Sequence, residues 1–137
     1  MKTTEGAHST NYFDTLIEVS PDSGAVEARV PRKAGSVAAM QYEMVSGAPY
    51  QHTSDDVIFA VHASRKGIAP TAAARAAFFS RGQACFRASP LVKTHGFGVH
   101  SDAKGRIALY GVETAQYQDL KADPDVIKVA GMRSKRG

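Results

Sequence analysis

The run from Gly96 to Val112, GFGVHSDAKGRIALYGV, restricts the fold more than any other part of the chain. Phe97, Val99 and Ser101 alternate with Gly98, His100 and Asp102; further on, Ile107, Leu109 and Gly111 alternate with Ala108, Tyr110 and Val112. A period of two is the pattern of a half-buried strand, because successive side chains point to opposite faces. Between the two runs, Asp102-Ala103-Lys104-Gly105 fits a type I turn with glycine in the left-handed position. The spacing predicts an antiparallel hairpin.

The residues leading into the hairpin carry helix signals. Ser89 followed by Pro90 is a cap plus a first-turn proline, so a short helix is expected from Pro90 to His95, stopped by Gly96. A longer helix is expected after Pro70, where TAAARAAFFSR supplies strong helix formers and Gly82 closes the run. Before it, Thr53 or Ser54 can cap a helix whose first turn holds Asp55 and Asp56 and whose last residue precedes Gly67; the β-branched density of DVIFAV keeps a strand as the alternative. Three strands are expected near the start: Phe13 to Val19, then Ala25 to Val30 as its hairpin partner across Asp22-Ser23-Gly24, then Val37 to Val45 with Met40, Tyr42 and Met44 on one side. After the hairpin, Thr114 caps a helix running to Ala122, Asp123-Pro124-Asp125 breaks it, and VIKVAGM reads as a final strand.

These elements predict an α+β fold in one domain over residues 1–137, with a loose leader at 1–7 and a basic tail at 133–137. The expected sheet is mainly antiparallel, with about five or six strands, and three or four short helices lie mostly on one face. At 137 residues such a domain buries enough surface to fold without a metal or disulfide. The longest unbroken apolar run is Val57 to Val61, far short of the roughly 20 residues that span a bilayer, so no membrane segment is expected. No apolar signal segment opens the chain and the single cysteine fits a reducing compartment, so the expected location is cytoplasmic.

The net charge of +4 is unevenly spread. Residues 1–64 carry −4, residues 65–106 carry +7, residues 107–132 carry −2, and the tail adds +3. The positive block comprises Arg65, Lys66, Arg75, Arg81, Arg87, Lys93, Lys104 and Arg106 against Asp102 alone. It can form a surface for an anionic small molecule or an acidic protein, or its members can pair with the acidic first half of the chain. Within it, Arg87, Ser89, Lys93 and His100 are the candidate binding residues: an arginine beside a helix start is a reasonable anion cradle.

Three other chemistries have candidate residues. His100 and Asp102 lie two apart on one strand, hence on one face, and together with Tyr110 or Cys85 they are the candidates for acid–base or nucleophilic catalysis. Whether the chain is an enzyme is left open at this point. His95, His100, Asp102 and Cys85 include no CxxC or HxxxH pair, so neither a metal nor another cofactor is expected. No nucleic-acid-binding motif is present, so specific binding to nucleic acid is not expected. A monomer and a homodimer are both compatible with the sequence. The Ser54-Asp55-Asp56 segment completes the candidates if it joins Arg87, His100 and Asp102 in one pocket.

The segments TSDDVIF, FFSRGQACFRASPL, HGFGVHSDAKGRIALY and the closing MRSKR resemble a family of small bacterial proteins known only as a domain of unknown function. The resemblance runs from about His8 to Arg136 and implies one intact domain. It implies no activity, cofactor or site residue. Its pattern has a tyrosine before the first glycine of the hairpin segment and often a tryptophan between the two glycines, where this chain has His95 and Phe97.

Overall fold

The computed structural model describes residues 7–134. In chain order its elements are β1 (Thr15–Glu18), α1 (Val37–Gly47), α2 (Ser54–Lys66), α3 (Ala72–Phe78), α4 (Pro90–Lys93), β2 (Phe97–Ser101), β3 (Ile107–Gly111), α5 (Ala115–Ala122) and β4 (Ile127–Ala130). A single 3-10 turn, Phe86–Ala88, leads into α4. The expected hairpin is β2–β3, with Val99 opposite Leu109 and His100 opposite Ala108. Its turn is closed by the Asp102 carboxylate, which accepts from the backbone N–H groups of Lys104 and Arg106, and by Gly105 at φ 79°.

The domain is α+β, but its sheet has four strands in the order β3-β2-β1-β4, not five or six. It is also mixed: β1 pairs antiparallel with β2 and parallel with β4. The cause is α5. It follows β3 and carries the chain across the sheet, and a strand that returns after such a crossover runs parallel to the strand before it. The two missing strands have separate explanations. Val37–Gly47 is a helix because Ser36 caps it, its side chain accepting from the Ala39 N–H, and because Ala38, Gln41 and Val45 bury one helical stripe. The alternation of Met40, Tyr42 and Met44 was coincidental to that stripe. Ala25 to Val30 forms no strand: Val26 and Val30 face solvent, and the segment is bonded instead by Ala28 N–H to the Glu113 carboxylate and by Arg29 N–H to the His95 carbonyl.

Each helix start is capped by the residue type that favours it. Thr53 and Asp56 form a reciprocal capping box on α2, Gly67 ends that helix in the left-handed conformation, and Thr71, Ser89 and Thr114 cap α3, α4 and α5. Pro90 is the first residue of α4, whereas Pro70 stays outside α3. Helix α3 stops at Phe78, short of Gly82.

The sheet has two unlike faces. Ile17, Phe97, Val99 and Ile107 point to one face and meet Ala38, Val45, Val57, Val61, Leu91 and Val92 from α1, α2 and α4 in the main core. Leu16, Gly98, His100 and Tyr110 point to the other, where α5 packs. A Cβ on Gly98 would come within 2.5 Å of the Tyr117 ring, so the absent side chain is what lets α5 sit against the strand. The Tyr117 hydroxyl accepts from Val19 N–H, and burial, partly opposed by that bond, raises its pKa. The expected leader at 1–7, apart from Ala7, and the end of the basic tail at 135–137 lie outside the described residues; Ser134 N–H donates to the Asp22 carboxylate. Among the described residues no helix is long and apolar enough to cross a membrane.

Candidate functional site

A cleft opens on the helix side between α1, α2 and the segment Gln83–Pro90, with a volume of about 270 Å³. Val37, Ile58, Val61 and Phe78 supply its apolar walls, and Arg65 and Lys66, both exposed in the last turn of α2, stand at its rim. His62 lines it as well, its ring packed on Phe78 at 4.4 Å between centroids. Ser89 and Gln41 provide its polar floor. The Ser89 hydroxyl accepts from Leu91 N–H as the cap of α4 and donates to Gln41 Oε1 at 2.6 Å. That bond sets the orientation of the Gln41 amide. Its nitrogen then has no hydrogen-bond partner among the described residues and opens to solvent in the cleft, although Gln41 as a whole is only 6 % exposed. A donor placed this way in an otherwise buried side chain is left for whatever occupies the cleft.

Cys85 also lines the cleft, half-buried, with its Sγ 3.8 Å from the Tyr12 hydroxyl. Burial, followed by the adjacent Cys85, raises the Tyr12 pKa, while Arg87 acts the other way. Arg87 itself reaches the β4 edge, where its Nε donates to the Ala130 carbonyl at 2.7 Å. Lys93 sits in the last turn of α4. Of the four binding candidates, Ser89 alone lines the cleft.

His100 is on the opposite face of the sheet from the cleft, in a cluster of its own. Tyr50, in the loop between α1 and α2, donates its backbone N–H to the Ile107 carbonyl on the β3 edge and so brings its ring beside the hairpin. Its hydroxyl lies 2.8 Å from His100 Nδ1 and 2.7 Å from the Tyr110 hydroxyl. Tyr50 has φ 58°, a left-handed conformation that a side chain of this size seldom adopts. Burial, then the hydrogen bond shared with Tyr110, then the charge of Asp102 push the Tyr50 hydroxyl above its ordinary pKa. His100 is pushed below its own by burial, which outweighs the opposing carboxylates of Asp102, Asp14 and Asp123. A neutral imidazole carries its proton on one ring nitrogen only, and the Tyr110–Tyr50–His100 series is hydrogen-bonded with either tautomer.

The structure thus unites His100 with Tyr110 and leaves Cys85 and Ser89 on the other side of the sheet. Asp102 acts on His100 through its charge while its Oδ1 is engaged in the hairpin turn. The Ser54-Asp55-Asp56 segment belongs to neither cluster. Asp55 accepts from Thr10 N–H, the Thr10 hydroxyl and the Ser9 hydroxyl, Ser54 bonds Thr10, and Asp56 caps α2 and pairs with Arg75 at 2.8 Å. No group of three or more histidine, cysteine or carboxylate side chains suited to a metal ion occurs among the described residues. Reading the sequence missed Gln41, because its segment was assigned to a strand, and Tyr50, because nothing in a Pro-Tyr-Gln loop marks a left-handed tyrosine.

The molecule is an α+β domain with a helix-walled cleft, rimmed by cations, on one side of its sheet and a hydrogen-bonded tyrosine–histidine cluster on the other. The model of the family of unknown function DUF6157 matches residues 7–137, and the chain belongs to that family. Neither the curated proteins nor the solved structures include a match to this chain.

Proposed function

We propose that the protein is a binding module for a small organic anion with an apolar body, held in the cleft between α1, α2 and the Gln83–Pro90 segment. The observation that carries this reading is the Gln41 amide nitrogen, unpartnered among the described residues on a side chain more than nine-tenths buried. A carboxylate satisfies that donor, gains charge-assisted attraction from Arg65 and Lys66, and lays its hydrocarbon part along Val37, Ile58 and Val61. The size of the cleft, near the lower end of the range for ligand pockets, favours a small molecule over a peptide or protein.

Titration calorimetry with octanoate and with octanol, its uncharged match, tests the reading. Octanoate is expected to bind at least about tenfold more tightly, equivalent to about 1.4 kcal/mol. R65E/K66E should abolish that preference while leaving octanol affinity unchanged; both residues are exposed, so the fold is not at stake. Equal affinity for the two probes, or a preference untouched by R65E/K66E, would overturn it.

A second reading rests on the hydrogen-bonded series from Tyr110 through Tyr50 to His100, which supports an acid–base role for His100 in a small enzyme. Cys85 has no part in it, since the thiol lies in the cleft on the other side of the sheet.

A further inference from the structure

The loop after β1 carries a second basic concavity, distant in character from the apolar cleft. Arg29, Arg32 and Lys33 line a groove of about 810 Å³ together with Pro31, Thr94 and His95. None of the three cations has an ion pair among the described residues; the two ion pairs found there join Arg75 to Asp56 and Lys121 to Glu18. No carboxylate lines the groove. Like charges gathered this way raise one another's free energy and are relieved by a bound anion.

The loop is held in place, so the charges do not owe their proximity to a floppy segment. Arg29 N–H donates to the His95 carbonyl at 2.8 Å, Ala28 N–H to the Glu113 carboxylate at 2.9 Å, and Ser36 N–H to the Lys33 carbonyl at 3.2 Å. Gly96, at φ 78°, lies beneath the Glu27 carbonyl, which a Cβ would approach to 2.6 Å; the loop seats against the end of α4 because that side chain is absent. His95 is oriented too. Its Nδ1 is 3.0 Å from both the Pro90 carbonyl and the Thr94 hydroxyl, so Nε2 is the ring atom left for other partners.

We propose that this groove binds a small ligand carrying two or more linked phosphate groups. Two guanidinium forks and an ammonium match the several oxygens and the two to three negative charges of a diphosphate, roughly one cation per charge. The Thr94 hydroxyl, 3.0 Å from the Pro90 carbonyl, lines the same wall. The volume accommodates a molecule of nucleotide size. The sign of the first 64 residues, −4 overall, had concealed the site, because Arg29, Arg32 and Lys33 are three of only four basic residues there.

The test is titration of the full chain with inorganic pyrophosphate in magnesium-free buffer at low salt. Wild type is expected to bind, and R32E/K33E to bind at least tenfold more weakly; both residues are exposed, and a matching thermal melt verifies the fold. R65E/K66E, on the rim of the apolar cleft, should retain wild-type affinity for pyrophosphate within about twofold. Failure of wild type to bind, or equal weakening by the two double variants, would overturn the proposal. So would a duplex oligonucleotide that binds wild type, loses affinity in R32E/K33E and has no pyrophosphate counterpart, which would reassign the groove to nucleic acid.

Discussion

The two sides of the sheet use their polar groups in opposite ways. On the α5 side, the Tyr50 hydroxyl is bonded to both His100 Nδ1 and Tyr110, and the charges acting on His100 are carboxylates, from Asp14, Asp102 and Asp123. On the helix side, the cleft has cations at its rim and an amide donor with no partner among the described residues. Side chains bonded to one another stabilise a fold; polar groups left open stabilise a complex. Members of the sequence's positive block are also placed apart. Arg65 and Lys66 stand at the cleft, Arg75 pairs with Asp56, Arg87 is bound to the β4 edge, and His100 lies among acids.

The sharpest way to break this contrast is to remove one hydroxyl. Tyr50→Phe deletes both hydrogen bonds and leaves His100 Nδ1 and the Tyr110 hydroxyl half-buried without their partner. The expected loss is about 1–3 kcal/mol of unfolding free energy, read from the urea midpoint. The counterpart on the helix side, R65A/K66A, should stay within about 0.5 kcal/mol of wild type, because neither residue is committed to a contact that folding requires. If the two variants melted together, the bonded and open groups would not differ energetically.

Acidity separates the sides by a smaller amount. Since the folded state holds His100 below its ordinary pKa near 6.5, the unfolded chain binds more protons once the pH drops past that value. The stability associated with His100 is therefore fully present above about pH 6.5 and declines as the pH falls toward the lowered folded value. His100→Gln keeps a side chain able to accept from Tyr50 but does not titrate. Urea midpoints taken between pH 7.5 and pH 5 should fall more steeply for wild type than for His100→Gln. Parallel slopes would show that burial of His100 carries no such linkage.

Much of this architecture was legible in the residues themselves. The β2–β3 hairpin, the Thr53, Ser89 and Thr114 caps, the Gly67 stop and the last strand all rest on local chemistry, within a few residues of chain. What was not legible depends on distant partners. Val37 to Val45 satisfied a two-residue and a helical period at once, and only the Ser36 cap and the burial of Ala38, Gln41 and Val45 decide for the helix. The parallel pairing of β4 with β1 depends on α5 carrying the chain from the β3 edge to the opposite edge of the sheet, which no local pattern encodes. Of the candidate site, Ser89 and Cys85 were nominated individually, but Gln41, His62 and the walls of α2 reach them from residues more than twenty positions away.

The smallest expected effect concerns the ion pair of Asp56 with Arg75 on the helix side, and it distinguishes what a cap contributes from what a charge contributes. The two side chains are 38 % and 40 % exposed, so their attraction is screened, and Arg75→Ala should cost no more than about 1 kcal/mol. Thr53→Ala, which removes the hydroxyl capping the Asp56 N–H, should cost about 0.5–2 kcal/mol. The pH dependence provides the finer discrimination. Burial raises the Asp56 pKa, but the Thr53 N–H first and Arg75 second outweigh it, and the net shift is downward. The linked stability is present above the ordinary carboxylate value, near 3.8, and is lost as the pH falls below it. Because the backbone N–H of Thr53 remains in Arg75→Ala, that variant should retain part of the acid sensitivity while its stability at neutral pH barely changes. Complete loss of the acid step in Arg75→Ala would mean that the guanidinium, not the cap, holds the carboxylate.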